Sequence, residues 1–182
     1  MKLSDNTQVA AAIRQWVDTV VVSLNLCPFA KRELDKDRVR FVVSDAISEQ
    51  SLLVDIAAEL NLLEKDISIA TTLLIHPRVL EAFHEYNQFL NCAEGLLRQM
   101  GLDDIYQIAS FHPDYQFGGT DPDDAENYTN RSPYPVLHLL REESLERALK
   151  STEFAEQIPI RNIELMNTMG NAELSALLKA CL

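Results

Sequence analysis

The run Ile67-Ser68-Ile69-Ala70-Thr71-Thr72-Leu73-Leu74-Ile75 constrains the fold more tightly than any other stretch. It has the length of a strand, is rich in β-branched residues and is nearly continuously apolar. A strand with one wet face alternates apolar and polar side chains. A run without that alternation predicts a strand covered on both faces. The chain has 182 residues, enough for one domain, spanning residues 1–182, with a sizeable core around such a strand.

Helical patterns flank the run. Val9, Ile13, Trp16, Val17, Val20, Val21 and Leu24 make one apolar stripe at helical spacing. Asp5 and Gln8 resemble a capping box at its start, and the helix is expected to end near Asn25. Val39 to Val43 reads as a strand. Ser48 then caps a helix whose buried face is Leu52, Leu53, Ile56, Leu60 and Leu63. A long helix is expected from about Pro77 to Met100, with Gly101 as its C-cap. Two further strands follow, at Ile105 to Phe111 and Val136 to Leu140. The chain ends in a helix from Glu142 to Leu149 and two short helices split by Met169-Gly170-Asn171.

Strand–helix–strand units imply parallel neighbours. The order therefore predicts an α/β fold: a mixed sheet of about four strands with helices packed on it, the fourth strand a candidate for antiparallel pairing. A ferredoxin-like α+β sandwich is the alternative. The long helix between the second and third strands weighs against it, because that fold needs a hairpin there.

More than twenty residues rich in Pro, Gly, Asp and Asn separate the third and fourth strands. A loop that long inside a compact domain is either functional or disordered. Disordered segments are poor in aromatics, and this one carries Tyr115, Phe117, Tyr128 and Tyr134 just after Phe111. An ordered, site-forming loop is the expectation.

Three stretches also carry a resemblance: Leu26-Cys27-Pro28-Phe29, Ser110-Phe111-His112-Pro113-Asp114-Tyr115-Gln116-Phe117, and Thr129-Asn130-Arg131-Ser132-Pro133-Tyr134-Pro135. They resemble a bacterial family catalogued as domain of unknown function 1415. The likeness covers nearly the whole chain and implies one intact domain. It implies no activity, cofactor or catalytic residue.

The candidate site is therefore read from the residues. Two strands end in the same dipeptide, His76-Pro77 and His112-Pro113. If both are parallel, the two imidazoles emerge at one sheet edge, where open α/β sheets bind ligands. Asp114 follows closely, and His138 sits inside the fourth strand between Leu137 and Leu139. Imidazole and carboxylate together suit a divalent metal, so His76, His112 and Asp114 are candidate ligands. The plainer reading makes His-Pro a strand-end punctuation, each ring bonded to a nearby carbonyl. Cys27 precedes Pro28, a good first residue for a helix, which would place the thiol at an N-cap. Its plainer reading is a small packed hydrophobe. Asp121, Asp123, Asp124 and Glu126 fail the EF-hand spacing. Asp121 as N-cap and Pro122 as first residue of a short helix explain them. Arg131, beside Asn130 and two stiffening prolines, suits carboxylate or phosphate recognition; a structural salt bridge is the rival role.

Charge narrows the partners. Twenty-eight acidic against 16 basic residues leave a formal charge of −12, which disfavours nonspecific nucleic-acid binding and an anionic membrane surface. Three scattered cysteines make no disulfide framework, and the first residues lack a signal-peptide core. A cytoplasmic setting is expected. The reading that results is an enzyme acting on a small anionic molecule under the 111–135 loop. His112, Cys27 and Asp114 would carry the chemistry, and Arg131, Asn130 and His76 would bind substrate. A non-catalytic ligand-binding module and an interaction protein using the aromatic loop are the alternatives.

Overall fold

The computed structural model describes residues 3–150 and 155–182, with side chains from residue 6 onward. The capping role expected of Asp5 lies outside the described side chains. One four-stranded sheet, with seven α-helices among the described residues, makes an α/β fold. The strands are β1 (Val39–Val43), β2 (Thr71–Ile75), β3 (Tyr106–Phe111) and β4 (Val136–Arg141). Their order across the sheet is β1-β2-β4-β3. β1 and β2 pair in parallel, whereas β4 pairs antiparallel with both β2 and β3. The ferredoxin-like alternative is excluded, because a long helix and not a hairpin joins β2 to β3.

The helices are α1 (Leu3–Trp16), α2 (Ala30–Asp35), α3 (Glu49–Lys65), α4 (Phe83–Met100), α5 (Glu142–Lys150), α6 (Ile158–Met169) and α7 (Asn171–Lys179). Ser48 caps α3 as expected: its hydroxyl accepts from Ser51 N–H at 3.2 Å, and Ser51 Oγ returns a bond from Ser48 N–H. Gly101 ends α4 in the left-handed region at φ 67°, which glycine adopts without strain. Three boundaries of the strands and longer helices differ from expectation by more than a residue. β2 starts at Thr71 and not at Ile67, because residues 66–69 are used in a turn in which Ile69 N–H reaches Asp66 O. α4 starts at Phe83, since the segment after His76 is a turn at residues 77–78 followed by a loop with Leu80 at φ 60°. The first helix changes pitch after Trp16 and continues as a π-helix, Val17–Val22.

Alternation along each strand divides the core in two. Val42, Leu74, Leu137 and Leu139 point to the face covered by α3 and α4, where Leu52, Ile56, Leu60, Tyr86, Phe89 and Ala93 meet them. Leu73, Ile75, Val136 and Phe41 point to the opposite face, under α1, the π-helical turn, α6 and α7. Every residue of β2 is buried, which is why its sequence shows no alternation.

Tyr86 fixes where β3 and β4 sit on the helical layer. Its buried hydroxyl donates to Val136 O at 2.7 Å and accepts from Phe111 N–H at 3.0 Å. Val136 and Phe111 are register partners, so one side chain pins the end of both strands. Burial pushes the Tyr86 hydroxyl far above its ordinary pKa, so it stays a donor. Tyr86→Phe keeps the ring but strands two buried backbone groups. It should lower stability by about 2 kcal/mol in urea unfolding; an unchanged midpoint would mean that those groups are satisfied elsewhere.

Candidate functional site

β1, β2 and β3 run in one direction, so β2 and β3 deliver His76 and His112 to the same sheet edge, one on each side of β4. Both rings are fully buried and flank Tyr86, at centroid distances of 5.6 Å and 5.1 Å. The proton positions follow from their neighbours. His112 accepts from Asp114 N–H at Nδ1, 3.0 Å, so its proton is on Nε2 and is donated to Leu80 O at 3.2 Å. His76 Nδ1–H donates to Val79 O at 3.0 Å, and its Nε2 is buried with no partner among the described residues. The two rings thus hold consecutive carbonyls of the loop that contains the left-handed Leu80. Burial drives His76 down to about 4 and lowers His112, the latter opposed by its bond to Leu80 O and by the Asp114 charge. Asp114 itself is exposed and contributes its backbone N–H. Among the described residues no three His, Cys, Asp or Glu side chains converge as a metal ion would need.

The long loop is ordered by side chains that turn inward on its own backbone. Asn127, fully buried, accepts from Phe117 N–H at 3.0 Å and from Thr120 Oγ1 at 2.9 Å, and donates to Asp121 O at 2.8 Å. Asn130 caps the outer edge of β3: its amide donates to Ser110 O at 3.0 Å and its carbonyl accepts from His112 N–H at 3.2 Å. Arg131 lies over the Tyr128 ring at 4.6 Å and donates to Tyr115 O at 3.1 Å and Pro122 O at 2.6 Å. Its partners are carbonyls, in place of the carboxylates that the rival salt-bridge role required. The expected helix at Asp121-Pro122 is a turn, Asp124 N–H to Asp121 O at 3.0 Å; the helical turn starts later, at Ala125–Thr129.

Cys27 lies elsewhere. α2 starts at Ala30 with Phe29 as its N-cap, so Cys27 precedes the helix and is not its cap. Pro28 occupies the turn that leads in, where Ala30 N–H reaches Cys27 O at 3.2 Å. The Cys27 side chain lines a cavity of about 300 Å³ on the face of the sheet opposite α3 and α4. Thr71, Leu73, Ala109, Phe111, His138 and Leu140 form its floor. Trp16, Val17 and Val21 wall one side, and Ser144, Leu145 and Ala148 of α5 wall another. Small residues at Ala30, Ala70, Ala109 and Ala148 leave the volume open. His76, His112, Asp114 and Arg131 are not part of this wall.

His138 and Thr71 are the polar residues of that floor. Thr71 Oγ1 donates its single proton to Leu139 O at 2.6 Å and lies 2.7 Å from His138 Nε2, so the imidazole donates from Nε2. Burial alone brings His138 down to about 4. The sequence placed His138 in a strand but gave no sign of the cavity. Its only signal was a polar residue between two leucines, opposite Thr71 once the register is known.

These placements give two expectations. In the unfolded chain a histidine takes up its proton near pH 6.5, whereas folded His76 and His138 resist until about 4. Stability from these rings is therefore complete above pH ~6.5 and is lost as pH falls towards 4, by roughly 3 kcal/mol per ring. Urea midpoints across that window check this, and a flat midpoint would contradict it. Arg131→Ala removes two hydrogen bonds and a ring contact from the loop. It should lower the melting temperature by several degrees, on the order of 1–3 kcal/mol, whereas an exposed tether would leave it unchanged.

No helix is long and apolar enough to cross a membrane among the described residues. Comparison with curated proteins finds no match, and comparison with solved structures finds none either. A match to a family model does extend over residues 8–176, nearly the whole chain, and on that ground the protein belongs to the family described as "Protein of unknown function (DUF1415)".

Proposed function

We propose that the protein binds a small, mostly apolar molecule in the cavity between the sheet and α1, α2 and α5. The observation that carries this reading is an apolar space of about 300 Å³ with one hydrogen-bonded polar pair in its floor. Ligand sites are concave, largely apolar and furnished with a few placed polar groups. The volume suits a molecule of one or two fused rings. α5 supports the same reading: it turns Ser144, Leu145 and Ala148 to the cavity and keeps Glu143, Glu146, Arg147 and Lys150 in solvent, in two ion pairs. A helix that covers a space without filling it leaves room for a guest.

The reading with an anionic substrate under the 111–135 loop draws less support. Arg131 gives two of its N–H groups to loop carbonyls, and His112 uses both ring nitrogens. Cys27 remains of interest as a cavity residue that a bound molecule would meet. A cytoplasmic setting is part of the proposal, supported by three unpaired cysteines. The net charge of −12 supports a partner other than nucleic acid.

The single tryptophan, Trp16, reports on the cavity that it lines. Titration with 2-methylnaphthalene should shift the Trp16 indole resonance saturably. Ala109→Leu places a larger side chain in the floor; it should weaken this binding at least tenfold without lowering stability, because the added atoms enter existing space. No saturable shift in the natural sequence would remove the cavity as a ligand site.

A further inference from the structure

The cavity floor carries more information than its volume. Thr71 has one hydroxyl proton, and Leu139 O takes it at 2.6 Å. The Thr71 oxygen therefore faces His138 Nε2 as an acceptor, and the imidazole proton is fixed on Nε2. Nδ1 is left with a lone pair, and among the described residues nothing donates to it. His138 is enclosed by protein, flanked across the sheet by Leu73 on β2 and Ala109 on β3, and the surface it retains faces the cavity. His138 is half-buried, and a guest that supplies a donor to Nδ1 in this largely apolar space gains a hydrogen bond there.

The charged groups nearby are committed elsewhere. Glu33 lies against Arg38 at 3.2 Å. The Arg141 guanidinium donates to Tyr106 Oη at 2.6 Å and to the carbonyls of Leu63 and Asp66, so its stem is what borders the cavity. Cys27 and Ser144 belong to the walls. Among the described residues no free cation therefore meets a guest, and a carboxylate entering this space would lose its hydration without a counter-charge.

We propose that the ligand is an apolar molecule bearing one hydrogen-bond donor, a hydroxyl or ring N–H, which it gives to His138 Nδ1, and that anionic molecules are refused. Thr71 is the positioning residue, since its hydroxyl selects the tautomer that leaves Nδ1 open. This rests on the cavity being a binding site, and it adds the chemical class of what binds.

Three probes of one shape separate the two claims: 2-naphthol, 2-methylnaphthalene and 2-naphthoate, titrated calorimetrically into the protein. The naphthol should bind about five- to tenfold more tightly than the hydrocarbon, the advantage of one buried hydrogen bond. The naphthoate should not bind. In nitrogen-15 spectra the lone-pair nitrogen of His138 should move when naphthol is added and stay when methylnaphthalene is added. Thr71→Val should erase the naphthol preference while hydrocarbon binding persists, and His138→Phe should do the same. The spectra require neither variant to fold. If both neutral probes bind equally and the imidazole spectrum is unmoved, the donor assignment is wrong although the cavity still binds. Tighter naphthoate binding would overturn the exclusion of anions. If no probe binds, the cavity reading itself fails.

Discussion

The insertion of β4 between β2 and β3 is the constraint on which the rest of the structure depends. β2 and β3 are parallel and joined through α4, so they leave a vacant lane between them until the chain returns. β4 fills it antiparallel and completes the ladders on both sides. Val136, Leu137 and Leu139 become fully buried in the process. Phe111 and Val136 are antiparallel register partners, so a tight turn could join β3 to β4, and the approach through residues 112–135 is far longer than this pairing requires.

That approach must also be ordered, because a loose segment would tax every register contact of β4 with its conformational entropy. Asn127, Asn130 and Arg131 meet this need by bonding backbone groups of the loop and of β3. Pro135 then passes its carbonyl to His76 N–H at 3.1 Å, which couples the loop's end to the end of β2. His112 donates its backbone N–H to Asn130 O, accepts from Asp114 N–H at Nδ1 and donates from Nε2 to Leu80 O. Tyr86 closes the arrangement from α4. The carboxyl edge, where an open sheet would offer a binding crevice, is in this chain filled with the fastenings of the inserted strand.

Much of the fold was legible in sequence because it rests on periodicity. The unbroken apolar run of β2, the stripe of α3 with its Ser48 cap and the terminal Gly101 are local signals, and local physics settles them. The start of α4 was not legible: Pro77 is a good first helical residue, but His76 and His112 draw Val79 O and Leu80 O into ring hydrogen bonds that an α-helix cannot give them. The shared edge of the two histidines followed from strand direction alone. Their company did not, because Cys27 and Arg131 reach their places through a turn and a loop whose paths no periodicity records.

The cavity was hidden for a different reason, the parity of strand positions. His76 lies an even number of residues from Thr72 and Leu74, so it shares their face and points under α4. His138 is the register partner of Leu73, so it shares the opposite face. From the sequence both look alike, a histidine at or within an apolar strand. A slip of β4 by one residue would turn His138 to the face that His76 occupies. Once the register is fixed, their fates separate. His76 and His112 meet loop carbonyls that hold them as structural rings. His138 meets Thr71 on one side and, beside Ala109 on the other, a space that no described side chain fills. A ring with one nitrogen engaged and the other facing an apolar hollow is poorly explained by stability, since a leucine would pack that floor without exposing an acceptor. The proposed guest would complete the hydrogen bond.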